Sequence, residues 1–129
     1  MTGENAINIP EVVAEVQTVF QQYEAALLEN DIQLLNDFFL DASFTIRYGI
    51  AEHSYGAEEI RAYRNTAAPV NRYRKLSNTV ITTIGHAAAN VCTEFKIPGS
   101  ETVGRQTQCW ARTSQGWKII AAHVSAIPM

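Results

Sequence analysis

Cations are nearly missing from the first half of this chain. Arg47 is the single Lys or Arg among residues 1–60, against eleven Asp and Glu, whereas residues 61–129 carry nine Lys and Arg against Glu94 and Glu101. The net charge of −3 therefore conceals a segment of −10 followed by one of +7. That split fits acidic helices packed beside a basic sheet. It does not fit a nucleic-acid binder, because the basic residues are scattered and the whole is acidic. Cysteine is scarce as well. Cys92 and Cys109 are the two present, and neither belongs to a C-x-x-C pair. A disulfide framework and a zinc ribbon are thereby excluded, and two buried thiols in a reducing cytoplasm are expected. The three histidines, His53, His86 and His123, have no ligand-like spacing, so no metal site is expected. The seven glycines form neither a phosphate loop nor a dinucleotide fingerprint, and no cofactor is expected. No apolar run nears the roughly 18 residues of a membrane span. Residues 1–10 lack the cation and apolar core of a secretory signal, so the expected location is cytoplasmic.

What is present is an ordinary globular composition. A chain of 129 residues with 47% hydrophobic content can bury a real core, and one domain spanning 1–129 is expected, with 1–8 as a loose tail. Pro10 and Glu11 suit the first turn of a helix. After Val12, apolar residues recur at Val13, Val16, Phe20, Tyr23 and Leu27, which places Tyr23 on the inward stripe. Asn30-Asp31 breaks this helix and caps a second one carried by Ile32, Leu35, Phe38 and Phe39. Residues 42–48 alternate as a strand, 49–55 read as a loop, and 56–64 read as a third helix, acidic at its start and basic at its end. The rest predicts four strands, 72–84, 87–97, 101–113 and 117–127, the last two joined by a turn at Gln115-Gly116. Helices segregated from an antiparallel sheet make an α+β domain. A strongly curved sheet wrapped on three helices leaves a conical cavity that a small ligand could enter. Val and Ile on the outer sheet face predict a homodimer.

Several polar residues could serve such a cavity. With the turn at Gln115-Gly116, Gln108 faces His123 and Gln106 faces Ser125, making one patch of four hydrogen-bonding side chains. His123 reads either as a proton carrier at the cavity floor or as an interior histidine bonded to Gln108 or Ser125. Ser125 lacks the orienting carboxylate that a nucleophilic serine needs. Arg47, inside an alternating strand, reads either as a bidentate carboxylate binder on the inner face or as an outward partner of a helix carboxylate. Tyr23 reads either as a proton or hydrogen-bond donor to substrate or as a core tyrosine. His53 lies in the loop near the expected cavity mouth, and His86 in a turn. Glu94 shares a strand face with Asn90, Cys92 and Lys96 and so points outward, which leaves the cavity without a carboxylate base from an interior strand.

The inward Tyr23, the Asn30-Asp31 break, Phe38-Phe39, the run Tyr55-Gly56-Ala57-Glu58-Glu59-Ile60-Arg61 and the closing Gly116-Trp117-Lys118-Ile119-Ile120 resemble the NTF2-like (SnoaL-like) α+β cone. More narrowly, Phe44-Thr45-Ile46-Arg47-Tyr48-Gly49, Arg61-Ala62-Tyr63-Arg64, Gly104-Arg105-Gln106-Thr107-Gln108 and Ala121-Ala122-His123-Val124-Ser125 resemble the AtzH-like group, which includes the oxalurate-catabolism proteins of HpxZ type. That resemblance implies a cone of three N-terminal helices on a curved antiparallel sheet. It implies a hydrolase of nitrogen-compound catabolism acting on an anionic amide or ureide, such as a carboxylated urea or an oxalurate-related compound. The alternative is a non-catalytic binding or accessory module, with a pathway amidase as a partner. The family's functional Tyr and Arg match Tyr23 and Arg47, while Gln106, Gln108, His123, Ser125 and His53 are expected to contact the substrate.

Overall fold

A computed structural model describes residues 3–129 of the chain. Helix α1 (Pro10–Glu29) begins with Pro10 in its first turn and ends at Asn30, whose backbone is left-handed at φ 54°. Asn is among the few residues that tolerate this conformation at a helix end. The buried stripe of α1 is Val12, Val16, Phe20, Tyr23, Ala26 and Leu27, so Val12 rather than Val13 heads it. Helix α2 (Ile32–Asp37) is capped by the Asp31 carboxylate, which accepts the Leu34 N–H at 3.2 Å. Helix α3 (Ala57–Thr66) buries Ala57, Ile60 and Arg64.

These helices pack on one six-stranded sheet of β1 (Ile46–Tyr48), β2 (His53–Tyr55), β3 (Lys75–Ile84), β4 (Ala88–Lys96), β5 (Thr102–Thr113) and β6 (Gly116–Pro128). The spatial order is β2-β1-β6-β5-β4-β3. Every pairing is antiparallel except β1 with β6. The α+β cone expected from the sequence is the fold observed. Three expectations need correcting. The loop foreseen at 49–55 contains β2, because Gly49 and the next few residues form a tight connection that folds Tyr48 back onto His53. The foreseen strand at 42–48 shortens to β1. The tail is tied down over Ala6–Asn8: Ile7 bridges Ile84, the Asn8 N–H donates to the Thr83 carbonyl at 3.0 Å, and Ala6 is buried. The first two residues of that expected tail lie outside the described ones.

The closing hairpin is where the register matters most. Its turn is Ser114-Gln115, with Thr113 opposite Gly116, whose φ of 99° favours glycine. A bulge follows, since Trp110 pairs with Ile119 but Cys109 pairs with Ala121, leaving Ile120 extra. Strand β6 therefore points Trp117 and Ile119 inward and then switches parity, so Ala122 rather than His123 faces in. Gln108 pairs with Ala122 and Gln106 with Val124, while His123 pairs with Thr107 and Ser125 with Arg105. The four-residue patch foreseen across this hairpin does not form. A single extra residue in one strand moves every later side chain to the other face.

The inner face of the sheet buries Val91, Trp110 and Ile119 in one core with α1 and α2, and Phe95 beside the Arg74 guanidinium. Glu94 lies on the outer side of β4, where it accepts from the Asn78 amide at 3.1 Å. Both thiols were expected buried, but Cys92 is exposed and Cys109 half-buried, because odd-even alternation sends both outward. Burial raises the Cys109 thiol pKa, and the diagonally placed Cys92 adds to it. Among the described residues three ion pairs join the acidic first segment to the basic second one: Arg74 with Glu24, Arg61 with Asp41 and Arg112 with Glu15.

Candidate functional site

A cavity of about 360 Å³ lies between α1, α3 and the inner face of the sheet. Its apolar wall includes Leu27, Val70, Phe95, Ile97, Ala122 and Val124. Its polar groups come from every part of the fold. Tyr23 comes from α1, Arg47 from β1, Tyr63 and Arg64 from α3, Arg74 from the residue just before β3, and Gln106 and Gln108 from β5. Glu52 enters from the β1–β2 connection. A larger, more open groove of about 650 Å³ runs along the start of α3, but it is lined by exposed Asp41, Glu58, Glu59 and half-buried Arg61. The cone interior, where buried polar groups converge, is the better candidate.

The three arginines stand in different electrostatic states. Arg74 is 7% exposed and held in a bidentate pair with Glu24, Nε to Oε2 at 2.9 Å and Nη2 to Oε1 at 3.0 Å. Its guanidinium also stacks 4.3 Å from the Phe95 ring centre. Arg47 is paired with Glu52 across the β1–β2 hairpin and lies 4.9 Å from the Tyr63 ring centre. Arg64, 7% exposed, lies 5.7 Å from that same ring and has no hydrogen-bond or ion-pair partner among the described residues. Three cations and two carboxylates leave the cavity with one surplus positive charge.

The two glutamines are oriented by donors that cannot accept. Trp110 Nε1 can only donate, so its 3.1 Å contact fixes Gln108 Oε1 toward it. Arg74 Nη2 can only donate, so its 3.2 Å contact fixes Gln106 Oε1 in the same way. Both amide nitrogens are thereby left free to donate. Gln106 Nε2 is buried with no partner among the described residues. An unpaired buried donor costs about 1–3 kcal/mol and is commonly satisfied by water or by a ligand.

Tyr23 is buried, with its ring meeting the edges of Phe38, Phe39 and Trp110 at centroid distances of 5.6, 6.3 and 6.5 Å. Its hydroxyl has no hydrogen-bond partner among the described residues. Burial raises its pKa above 10.0, opposed first by the charge of Arg64, then by Arg47 and Arg74. The phenol is therefore neutral at physiological pH and can donate a proton or a hydrogen bond.

Of the residues singled out from the sequence, Tyr23, Arg47, Gln106 and Gln108 share this cavity. His123, Ser125 and His53 do not line it. His123 is exposed on the outer face, 5.5 Å ring-to-ring from Tyr48, and Ser125 accepts from Arg105 Nε at 3.2 Å on that face. His53 is exposed on β2 beside Tyr55. The β6 bulge removes the first two, and the short β1–β2 hairpin removes the third. Arg64, Arg74, Tyr63 and Glu52 were not foreseen. Arg64 had a signal, since it follows Ala57 and Ile60 on the buried stripe of α3. Arg74 had none, its partner Glu24 being 50 residues away. Among the described residues no group of three or more His, Cys, Asp or Glu comes together as a metal-ligand set.

Residues 5–129 match the family model described as AtzH-like. A cystatin-like fold protein from Burkholderia xenovorans LB400 has a solved structure with 50% identity and a TM-score of 0.95, covering 97% of this chain and 98% of that one. A protein of the DUF3225 family from Pectobacterium atrosepticum SCRI1043, whose function is unknown, shows 45% identity and a TM-score of 0.91 over 94% of both chains. An NTF2-like protein from Pseudomonas putida KT2440, also of unknown function, shares the fold at 15% identity, with a TM-score of 0.69 over 87% of this chain and 84% of that one. No curated protein gives a match.

Proposed function

The chain belongs to the AtzH-like family, and from that premise we propose that its cone binds and hydrolyses a small, planar, anionic amide or ureide of nitrogen-compound catabolism. A carboxylated urea or an oxalurate-related compound is the substrate class. The observation that carries this reading is the polarity of the cavity. Apart from Glu52, which Arg47 holds, its free groups are donors: the Tyr23 hydroxyl, the amide nitrogens of Gln106 and Gln108, and guanidinium N–H groups. Such a lining matches a ligand rich in acceptors, a carboxylate with one or more carbonyl oxygens. The single surplus positive charge matches a monoanion. A volume of about 360 Å³ is near the lower end for ligand pockets and suits a few heavy atoms.

In hydrolysis the oxygen of a water bonds to the amide carbonyl carbon and the C–N bond breaks. The neutral Tyr23 phenol donates to the carbonyl oxygen as negative charge develops there. Glu52, held by Arg47, accepts the proton of the attacking water and passes it to the departing nitrogen. Purified protein incubated with carboxylated ureas and oxalurate should release ammonia or an amine. Tyr23→Phe should lower turnover by about 100-fold, the scale for loss of one oxyanion donor, with the fold intact. Full activity in both Tyr23→Phe and Arg47→Ala sinks the hydrolase assignment.

A second reading is favoured by one observation: among the described residues no serine, cysteine or histidine lines the cavity, so the common acyl-transfer nucleophiles and their histidine base are missing from it. On this reading the protein is a non-catalytic binding or accessory module beside a pathway amidase. A ureide that raises the melting temperature yet is never consumed supports it.

A further inference from the structure

We propose that Arg64 is the carboxylate anchor of this cavity and that it sets the preference for a monoanion. This deepens the functional reading above and rests on its premise that the ligand is an anion. Among the three cavity arginines, Arg74 is already neutralised by a two-point pair with Glu24 and Arg47 by Glu52. A ligand carboxylate at either would have to displace a protein carboxylate. Arg64 needs no such exchange: it is 7% exposed, it lines the cavity, and it has no carboxylate or hydrogen-bond partner among the described residues.

A guanidinium without a counter-ion, on a residue only 7% exposed, is costly to the fold. Its position in the last turn of α3 offsets part of that, since the C-terminal end of a helix favours a cation. The Tyr63 ring, 5.7 Å away, offsets a little more. Neither supplies an oxygen for its five N–H donors. The neighbouring free groups point to what does. Tyr23 feels Arg64 more than any other charge, and Gln106 Nε2 is a second buried donor without a partner. A planar ligand with its carboxylate on Arg64 and a carbonyl oxygen toward Tyr23 would satisfy both charge and hydrogen bonding. A second carboxylate would meet only paired arginines, so dianions should bind less well than monoanions.

Thermal melting of the full chain tests this, with Arg64→Met retaining the stem and losing the charge. Without added ligand, Arg64→Met should melt at or above the wild-type temperature. A fall of several degrees would mean that the guanidinium is bonded within the fold and would overturn the assignment. Oxamate, compared with sodium chloride of equal ionic strength, should raise the wild-type melting temperature by about 2 °C or more. Neutral oxamide should raise it less, and Arg64→Met should lose the oxamate response. An undiminished response in Arg64→Met, or no wild-type response to oxamate, oxalurate or a carboxylated urea, overturns the anchor. Ureide turnover that persists in Arg64→Met sinks the anchor and spares the hydrolase reading. Arg64-dependent binding of oxamate without turnover of any ureide does the reverse.

Discussion

Tyr23 shows how one side chain can be read from periodicity and still need a structure to define its chemistry. Helical spacing places it on the buried stripe of α1. Its protonation state comes from surroundings that spacing does not reveal, burial that keeps the phenol neutral against the opposing charges of Arg64, Arg47 and Arg74. Because its folded-state pKa lies above the ordinary 10.0, the stabilisation from the neutral phenol is fully present below that pH and is lost as pH rises through the higher folded value. Denaturation between pH 8 and strongly alkaline conditions should show a downturn beginning above about pH 10, shallower in Tyr23→Phe. At neutral pH that variant should lie within about 1 kcal/mol of wild type, since no intramolecular hydrogen bond is lost. An equal downturn in both proteins would assign the transition to another group. Gln106 and Gln108 were legible as polar residues on one face of a strand. Their orientation was not, because it depends on Arg74 and Trp110, one of which is 32 residues distant.

At the scale of elements, helices were easier to place than the ends of strands. The helix α1 and its stop at Asn30 follow from apolar spacing and from a residue suited to left-handed backbone. Asn30→Val should destabilise the chain by about 1–2 kcal/mol in urea denaturation, whereas Asn30→Gly should be neutral or mildly stabilising. Strand β6 defeated the sequence because bulges carry little local signal. Reading alternation onward from Trp117 and Ile119 sends His123 inward, and the extra Ile120 reverses it. Deleting Ile120 should remove the bulge and leave β5 and β6 in regular register, because Trp110 already pairs with Ile119 and Cys109 with Ala121. The expected outcome is cooperative thermal unfolding with the oxamate response retained, since Ala122 and Val124 keep facing inward and His123 and Ser125 outward. Strand β2 was missed for a different reason. Its three residues are too few to show a period, and its pairing with β1 is decided by the Gly49 turn and the Arg47–Glu52 contact. A side chain on Gly49 would collide with the Glu52 carboxylate, so Gly49→Ala should detach Glu52 from Arg47. The measurable effect is lower ureide affinity or turnover with little change in melting temperature.

At the scale of the whole molecule, charge asymmetry becomes a set of cross-links between helices and sheet. Arg61–Asp41 and Arg112–Glu15 are exposed and contribute little. Arg74–Glu24 is buried, so Glu24→Gln should cost about 3–5 kcal/mol by leaving Arg74 unpaired. The outer sheet face is organised differently. One row of paired residues crosses all six strands: Val80, Cys92, Thr107, His123, Tyr48 and His53. It contains no Asp, Glu, Lys or Arg, and most of it is exposed, with Val80 at 59%. Ile84 adds a further apolar side chain beyond Val80 on β3. A broad sheet face with an uncharged, aromatic centre suits a self-complementary contact with a second copy, because a two-fold interface places such a row against itself. The chain is therefore expected to elute as a dimer on size-exclusion chromatography with light scattering. Thr107→Glu should convert it to a monomer, since it would bring like charges together near the two-fold axis. Because Thr107 faces away from the cavity, that monomer should keep its oxamate response. A wild-type protein of monomer mass, or a Thr107→Glu dimer as tight as wild type, would rule this face out as the contact.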